Sequence, residues 1–150
     1  IEFIVVPVGG GSGASGACIV AKGINPSIKV IGVQSESAPA AYLSWKNKSL
    51  IDSSMGTIVE GLATRTPFAL PQSILWKYLD DFILVSDREI LKALILMLEK
   101  THNIPEGAGA APLAAALKIK DQIKGKRVAL IQSGGNISPQ ELRSAIEVSV

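Results

Sequence analysis

Apolar positions along the chain alternate between two rhythms. Residues 2–8, 28–34 (I-K-V-I-G-V-Q), 81–85 and 127–132 (R-V-A-L-I-Q) are short, nearly continuous apolar runs. Such runs suit strands covered on both faces. Between them lie longer stretches whose apolar residues recur at helical spacing. The first spans 12–22 and closes at Gly23 and Asn25-Pro26. Others are expected over 38–46 and over 70–79, opened near Pro71. Ser86 and Glu89 form a capping box for a helix that carries Ile90, Leu91, Leu94, Ile95 and Leu98 on one face and ends near His102. A further helix is expected over 112–124, ended by Gly125, and a second capping box, Ser138 with Glu141, opens a terminal helix. Residues 47–57 are polar and irregular, a surface excursion.

Strands alternating with helices predict an α/β fold with a mostly parallel sheet and helices on both faces. Residues 1–150 are expected to form a single α/β domain. Ligands bind such sheets beyond the carboxyl ends of the strands. The segments that follow the first and fourth strands, 9–13 and 133–136, are both glycine-rich.

Composition narrows the options. The chain is 47% apolar and 19% charged, with a net charge of +2, which describes a globular domain. Its densest basic cluster, Lys118, Lys120, Lys124, Lys126 and Arg127, is mixed with Asp121 and holds no aromatic residue. It reads as a solvated face, so no nucleic-acid partner is expected. No apolar run is long enough to span a bilayer, so no membrane partner is expected. The single cysteine, Cys18, rules out an internal disulfide and suits a reducing, cytoplasmic setting. It reads as a small buried residue.

The loop V-P-V-G-G-G-S-G-A-S-G (6–16) is the strongest chemical signal. Glycines let backbone approach a ligand closely, and the following helix presents N–H groups and a positive dipole end to an anion. Gly11, Gly13 and Gly16 match the dinucleotide pattern G-x-G-x-x-G, but the second strand ends in Gln34 where a ribose-binding acid is needed, and Glu36 lies past it. No G-K-[ST] follows, which counts against a nucleotide phosphate loop. Ala14 stands where a nucleophile elbow needs glycine, and the only histidine, His102, falls at a helix end. What remains is a cradle for one phosphate monoester, built from backbone N–H groups with the hydroxyls of Ser12 and Ser15, with a purely structural glycine turn as the alternative.

Three further segments follow in order: T-I-V-E-G-L-A (57–63), I-P-E-G-A-G-A-A (104–111) and Q-S-G-G-N-I-S (132–138). Together with V-P-V-G-G-G they resemble the threonine/serine dehydratases, pyridoxal-phosphate enzymes of the tryptophan-synthase β type (fold type II). I-N-P-S-I-K-V-I-G-V-Q-S-E and L-D-D-F-I-L-V-S-D-R-E-I are similar as well, so the likeness covers nearly the whole chain. The stretch around L-E-K-T-H-N-I-P-E-G is most similar to threonine dehydratase, or threonine ammonia-lyase.

The resemblance implies pyridoxal 5'-phosphate as cofactor. It implies that Gly9, Gly10, Gly11, Ser12 and Gly13 wrap its phosphate, and that Gly61 brings backbone near it. Glu106 would lie near the ring. Ser133 would hydrogen-bond the pyridine nitrogen; a neutral hydroxyl does not hold the ring protonated, so the ring is a weaker electron sink and prompt β-elimination is favoured. A plain polar loop is the alternative for Ser133 and Asn136. Ser12 replaces a glycine common in the family, and Gly13 replaces a larger apolar residue. Some relatives, such as serine racemase, bind a divalent cation through a glutamate after the second strand and a nearby aspartate. Gln34 and Ala40 stand in those places, so no metal site is expected.

The implied reaction is β-elimination of L-threonine or L-serine to a 2-oxo acid and ammonia. The family's Schiff-base lysine lies in an S-x-K-x-R-G motif ahead of the glycine loop, and no such motif occurs here. No catalytic residue is therefore expected in this chain. It begins inside a strand without Met and is expected to be the carboxyl-terminal, cofactor-binding half of a longer enzyme. It would be inactive alone and need the preceding half or a partner chain, within an oligomer of like chains. A racemase or another β-eliminating enzyme on the same scaffold, and a non-catalytic fragment or subunit, remain the alternatives.

Overall fold

The computed structural model describes residues 1–149. Four strands, β1 (Phe3–Pro7), β2 (Lys29–Ser35), β3 (Asp81–Val85) and β4 (Val128–Leu130), form one sheet in the order β3-β2-β1-β4. All three strand pairs are parallel, with Val5 opposite Ile31 and Leu130, and Val33 opposite Ile83. The chain moves outward from β1 to β2 to β3, then crosses back to place β4 on the other side of β1. That reversal makes a crevice at the carboxyl ends of β1 and β4.

The apolar runs are continuous because both faces of the sheet are covered. Val5, Ile31, Val33 and Val85 point into one core with α4 (Asp87–Thr101), α5 (Gly107–Lys118) and α7 (Pro139–Ser149). Val6, Val8, Val30 and Phe82 point into the other with α1 (Ser12–Ile24), α2 (Ala40–Asn47) and α3 (Ala69–Tyr78). Tyr42 and Phe82 meet edge to face there, with ring centroids 5.7 Å apart. Cys18 is fully buried in this second core, and desolvation pushes its thiol up to about 11. It is inert packing, as its setting in the sequence suggests.

Most elements match the sequence rhythm, and the departures have physical causes. α1 runs through Gly23 and ends at Asn25, because Gly23 adopts helical backbone where a left-handed stop was expected. The helix expected over 112–124 starts at Gly107 and ends at Lys118, followed by the short turn α6 (Lys120–Ile123). The G-A-G-A-A stretch is helical because its small side chains let α5 lie close on the sheet, buried from Gly107 through Ala116 except at Leu113. Pro112 sits inside the helix and leaves the Ala108 carbonyl without its usual donor. The capping box at Ser86 is complete: its hydroxyl accepts the Glu89 N–H and the Glu89 carboxylate accepts the Ser86 N–H. His102 closes α4 in left-handed backbone at φ 57°. The basic cluster is exposed, with Lys118 beside Glu89 and Lys126 beside Glu2. No helix among the described residues is long and apolar enough to cross a membrane.

Candidate phosphate-binding site

The glycine loop leaves β1 at the crevice and enters α1 directly. Gly11 has φ +88°, a left-handed conformation costly for any residue with a Cβ, and a Cβ there would meet Pro71 Cβ at 2.9 Å. No side chain caps α1 and no acid lies in its first turn. Its leading N–H groups, on exposed Ser12 and Gly13, therefore point out of the helix with the positive end of the dipole. Nothing stands within 4 Å of a Cβ built on Gly13, so the side of the first turn there is open.

The second wall is the 3-10 turn Glu60–Leu62. It lies so close that a Cβ on Gly9 would overlap the Gly61 carbonyl oxygen. Behind the loop, the Thr64 hydroxyl donates to the Gly9 carbonyl at 3.5 Å and accepts from Gln34 Nε2 at 3.2 Å. Gln34 is fully buried, and its Oε1 accepts the Tyr42 N–H at 3.1 Å. Gln34 thus has both ends of its amide engaged in protein structure.

The third wall joins the other two. A Cβ on Gly61 would meet Ala108 Cβ at 2.6 Å and Glu106 Oε1 at 3.5 Å. Glu106 is the N-cap residue of α5; its N–H donates to the Gly134 carbonyl at 3.2 Å, and its carboxylate packs where Gly134 has no side chain. Ser133 is exposed beside this contact, just past β4. The structure therefore links Gly9, Gly61, Glu106 and the 132–136 loop through close contacts at their glycines. A cavity of about 300 Å³ opens beside them, with Glu60, Glu106, Asn136 and Glu141 among its lining residues.

Glu141 was legible only as half of a capping box. Its N–H does donate to Ser138 Oγ at 3.1 Å, but its carboxylate turns away and accepts the Gly107 N–H at 3.0 Å. Burial, with Glu106 and Glu60 nearby, raises its pKa against the pull of the Gly107 N–H. This tie joins residues distant in sequence, so no local pattern announced it.

Residues 1–134 match the family described as pyridoxal-phosphate dependent enzyme. The chain belongs to that family. Among curated relatives, an L-threonine ammonia-lyase of Thermotoga maritima is 40% identical over 138 residues, covering 91% of this chain and 34% of the relative. A catabolic L-threonine dehydratase of Escherichia coli is 35% identical over 140 residues, again 91% of this chain and 43% of the relative. Among solved structures, the processed form of threonine deaminase isoform 2 from Solanum lycopersicum matches 99% of this chain and 44% of its own, with a TM-score of 0.93 at 28% identity. A serine racemase from Dictyostelium discoideum is 38% identical with a TM-score of 0.85, covering 92% of this chain and 45% of its own. The chain spans less than half the length of these relatives.

The crevice fits a pyridoxal-phosphate enzyme on its own geometry. The loop offers neutral backbone donors and the Ser12 hydroxyl at an uncapped helix N-terminus, a donor set that suits a phosphate monoester. The Ser15 hydroxyl, expected to join them, is instead buried and donates to the Pro71 carbonyl at 3.2 Å. Side chains are excluded at Gly9 and Gly11, where the loop meets the Gly61 carbonyl and Pro71.

Proposed function

We propose that this chain is the cofactor-binding α/β unit of an enzyme that converts L-threonine, with L-serine as a second substrate, to a 2-oxo acid and ammonia. The observation that carries the reading is the convergence at one sheet crevice of the uncapped α1 N-terminus, the Gly9–Gly61 contact and the Glu106–Gly134 contact. The named threonine lyases among the relatives support the choice of reaction.

In this reading the N–H groups of Gly9, Gly10, Gly11, Ser12 and Gly13, with the Ser12 hydroxyl, hold the phosphate of pyridoxal 5'-phosphate. Gly61 closes the loop from above by backbone contact. Ser133 hydrogen-bonds the pyridine nitrogen without fixing a proton on it, and Glu106 flanks the ring edge. When bound, the cofactor supplies an electron sink for the pair left at the substrate Cα. The reactive lysine and the substrate-carboxylate loop come from sequence outside this chain, as does the rest of the length that the relatives possess. The setting is cytoplasmic, and the whole protein assembles from like chains. The likeness to a serine racemase gives a second reading, racemisation on the same scaffold.

The full-length holoenzyme should release ammonia and 2-oxo acid in equal amounts from L-threonine. Inversion at Cα without ammonia would favour the racemase, and failure to take up pyridoxal phosphate would remove both readings.

A further inference from the structure

The segment that forms the second wall of the crevice has no regular structure to hold it. Between α2 and the turn Glu60–Leu62 the chain has neither helix nor strand, and Gly56 N–H to the Ser37 carbonyl is one of few backbone ties. Yet Gly61 must be held close enough for its carbonyl oxygen to occupy the space of a Gly9 side chain. Val59 and Leu62 bury their side chains in the core on either side of Gly61, and the polar anchor just ahead of them is one carboxylate. Asp87, the first residue of α4, accepts the Thr57 hydroxyl at 2.7 Å and the Ile58 N–H at 3.0 Å. It also accepts the Ser35 hydroxyl at the end of β2, at 2.6 Å. Thr57 Oγ1 in turn accepts the Val59 N–H at 3.1 Å, which begins the turn that carries Gly61.

We propose that Asp87 is a positioning residue for the cofactor phosphate. It clamps residues 57–59 to the end of β2 and so sets the place of Gly61 against the glycine loop. The proposal rests on the cofactor reading above. Asp87 plays no part in the α4 capping box, which belongs to Ser86 and Glu89. That separation gives a control. A carboxylate suits the task because all three partners donate. An amide in its place would turn an NH2 toward one of them.

The test compares Asp87→Asn and Ser86→Ala in the full-length holoenzyme. It reads the dissociation constant for pyridoxal 5'-phosphate, the phosphorus NMR shift of the bound phosphate, and thermal stability. Asp87→Asn should weaken the cofactor roughly tenfold, the scale of losing hydrogen bonds to a charged group, and move the phosphorus signal. Ser86→Ala should lower stability yet leave affinity and signal as in the wild type. Should Asp87→Asn fail to fold, Thr57→Val carries the test, with roughly threefold weaker binding expected. Unchanged affinity and signal in the folded Asp87 or Thr57 variant overturns the proposal. So does an equal loss in Ser86→Ala, because the effect then follows α4 stability. A wild-type protein that binds no pyridoxal phosphate overturns instead the cofactor reading on which the proposal stands.

Discussion

The two edges of the sheet solve opposite problems. At the amino edge, acids tie the strands down. Asp80, just before β3, accepts from Lys22 at 2.6 Å, from Lys29 at 3.0 Å and from the Val30 N–H at 2.8 Å. Glu2, just before β1, pairs with Lys126 and accepts the Arg127 N–H at 3.0 Å. At the carboxyl edge the glycine loop carries no charged side chain, and its helix is left uncapped. Those acids are satisfied internally, whereas the N–H groups that lead α1 have no side chain to accept them. In the proposed reading the first edge serves stability, and the glycine loop at the second serves binding.

The largest effect that would break this division is at Gly9. Gly9→Ala forces a Cβ into the Gly61 carbonyl and should reduce cofactor affinity about a hundredfold or more, measured by titration of the full-length apoenzyme with pyridoxal phosphate. Gly13→Ala is the contrast. Its Cβ meets no protein atom, and the family that the chain resembles carries a larger residue in that place, so folding should hold or improve by about 0.5–1 kcal/mol from helix propensity with cofactor affinity unchanged.

Asp80→Ala should do the reverse. It leaves Lys22, whose side chain is 15% exposed, with only the Ile28 and Pro26 carbonyls to receive its charge, and should cost about 1–3 kcal/mol in denaturant unfolding with cofactor affinity unchanged. A matching loss of affinity would erase the distinction between edges. The two edges should also respond oppositely to pH. Burial works against the Asp80 carboxylate, but bonds from Lys22, Val30 and Lys29 outweigh it and hold its pKa low. Its contribution is complete above the ordinary value of 3.8 and fades as pH falls through the lowered one. Glu141, raised by burial, behaves in the other sense. Its contribution is complete below 4.5 and fades as pH rises through the raised value. Glu141→Gln keeps an oxygen for the Gly107 N–H and should remove that second slope from a stability–pH series. Smallest of all, Lys29→Ala should change stability by under about 1 kcal/mol, since its side chain is 55% exposed.

The strands and their parallel pairing were legible because burial on both faces leaves an unbroken apolar run, as in β2. The Ser86 capping box was legible because it is local. α5 was half legible: the helix was expected only from Pro112, and the close sheet beneath the small residues 107–111 explains why it begins earlier. The glycine loop announced phosphate through its composition. Its walls were named by resemblance alone, because the approaches of Gly61 to Gly9 and of Glu106 to Gly134 are tertiary facts. Asp87 and Glu141 were hidden behind local readings, one inside a strand-to-helix motif and the other inside a capping box. Both act through side chains that reach distant backbone, which no local periodicity reports.

The central claim is that the carboxyl edge is a phosphate cradle made of backbone. A crystal structure of the full-length holoenzyme tests it most directly. The account predicts cofactor phosphate oxygens about 2.7–3.2 Å from backbone nitrogens within Gly9–Gly13. A phosphate bound elsewhere, with those nitrogens facing only water, would contradict it.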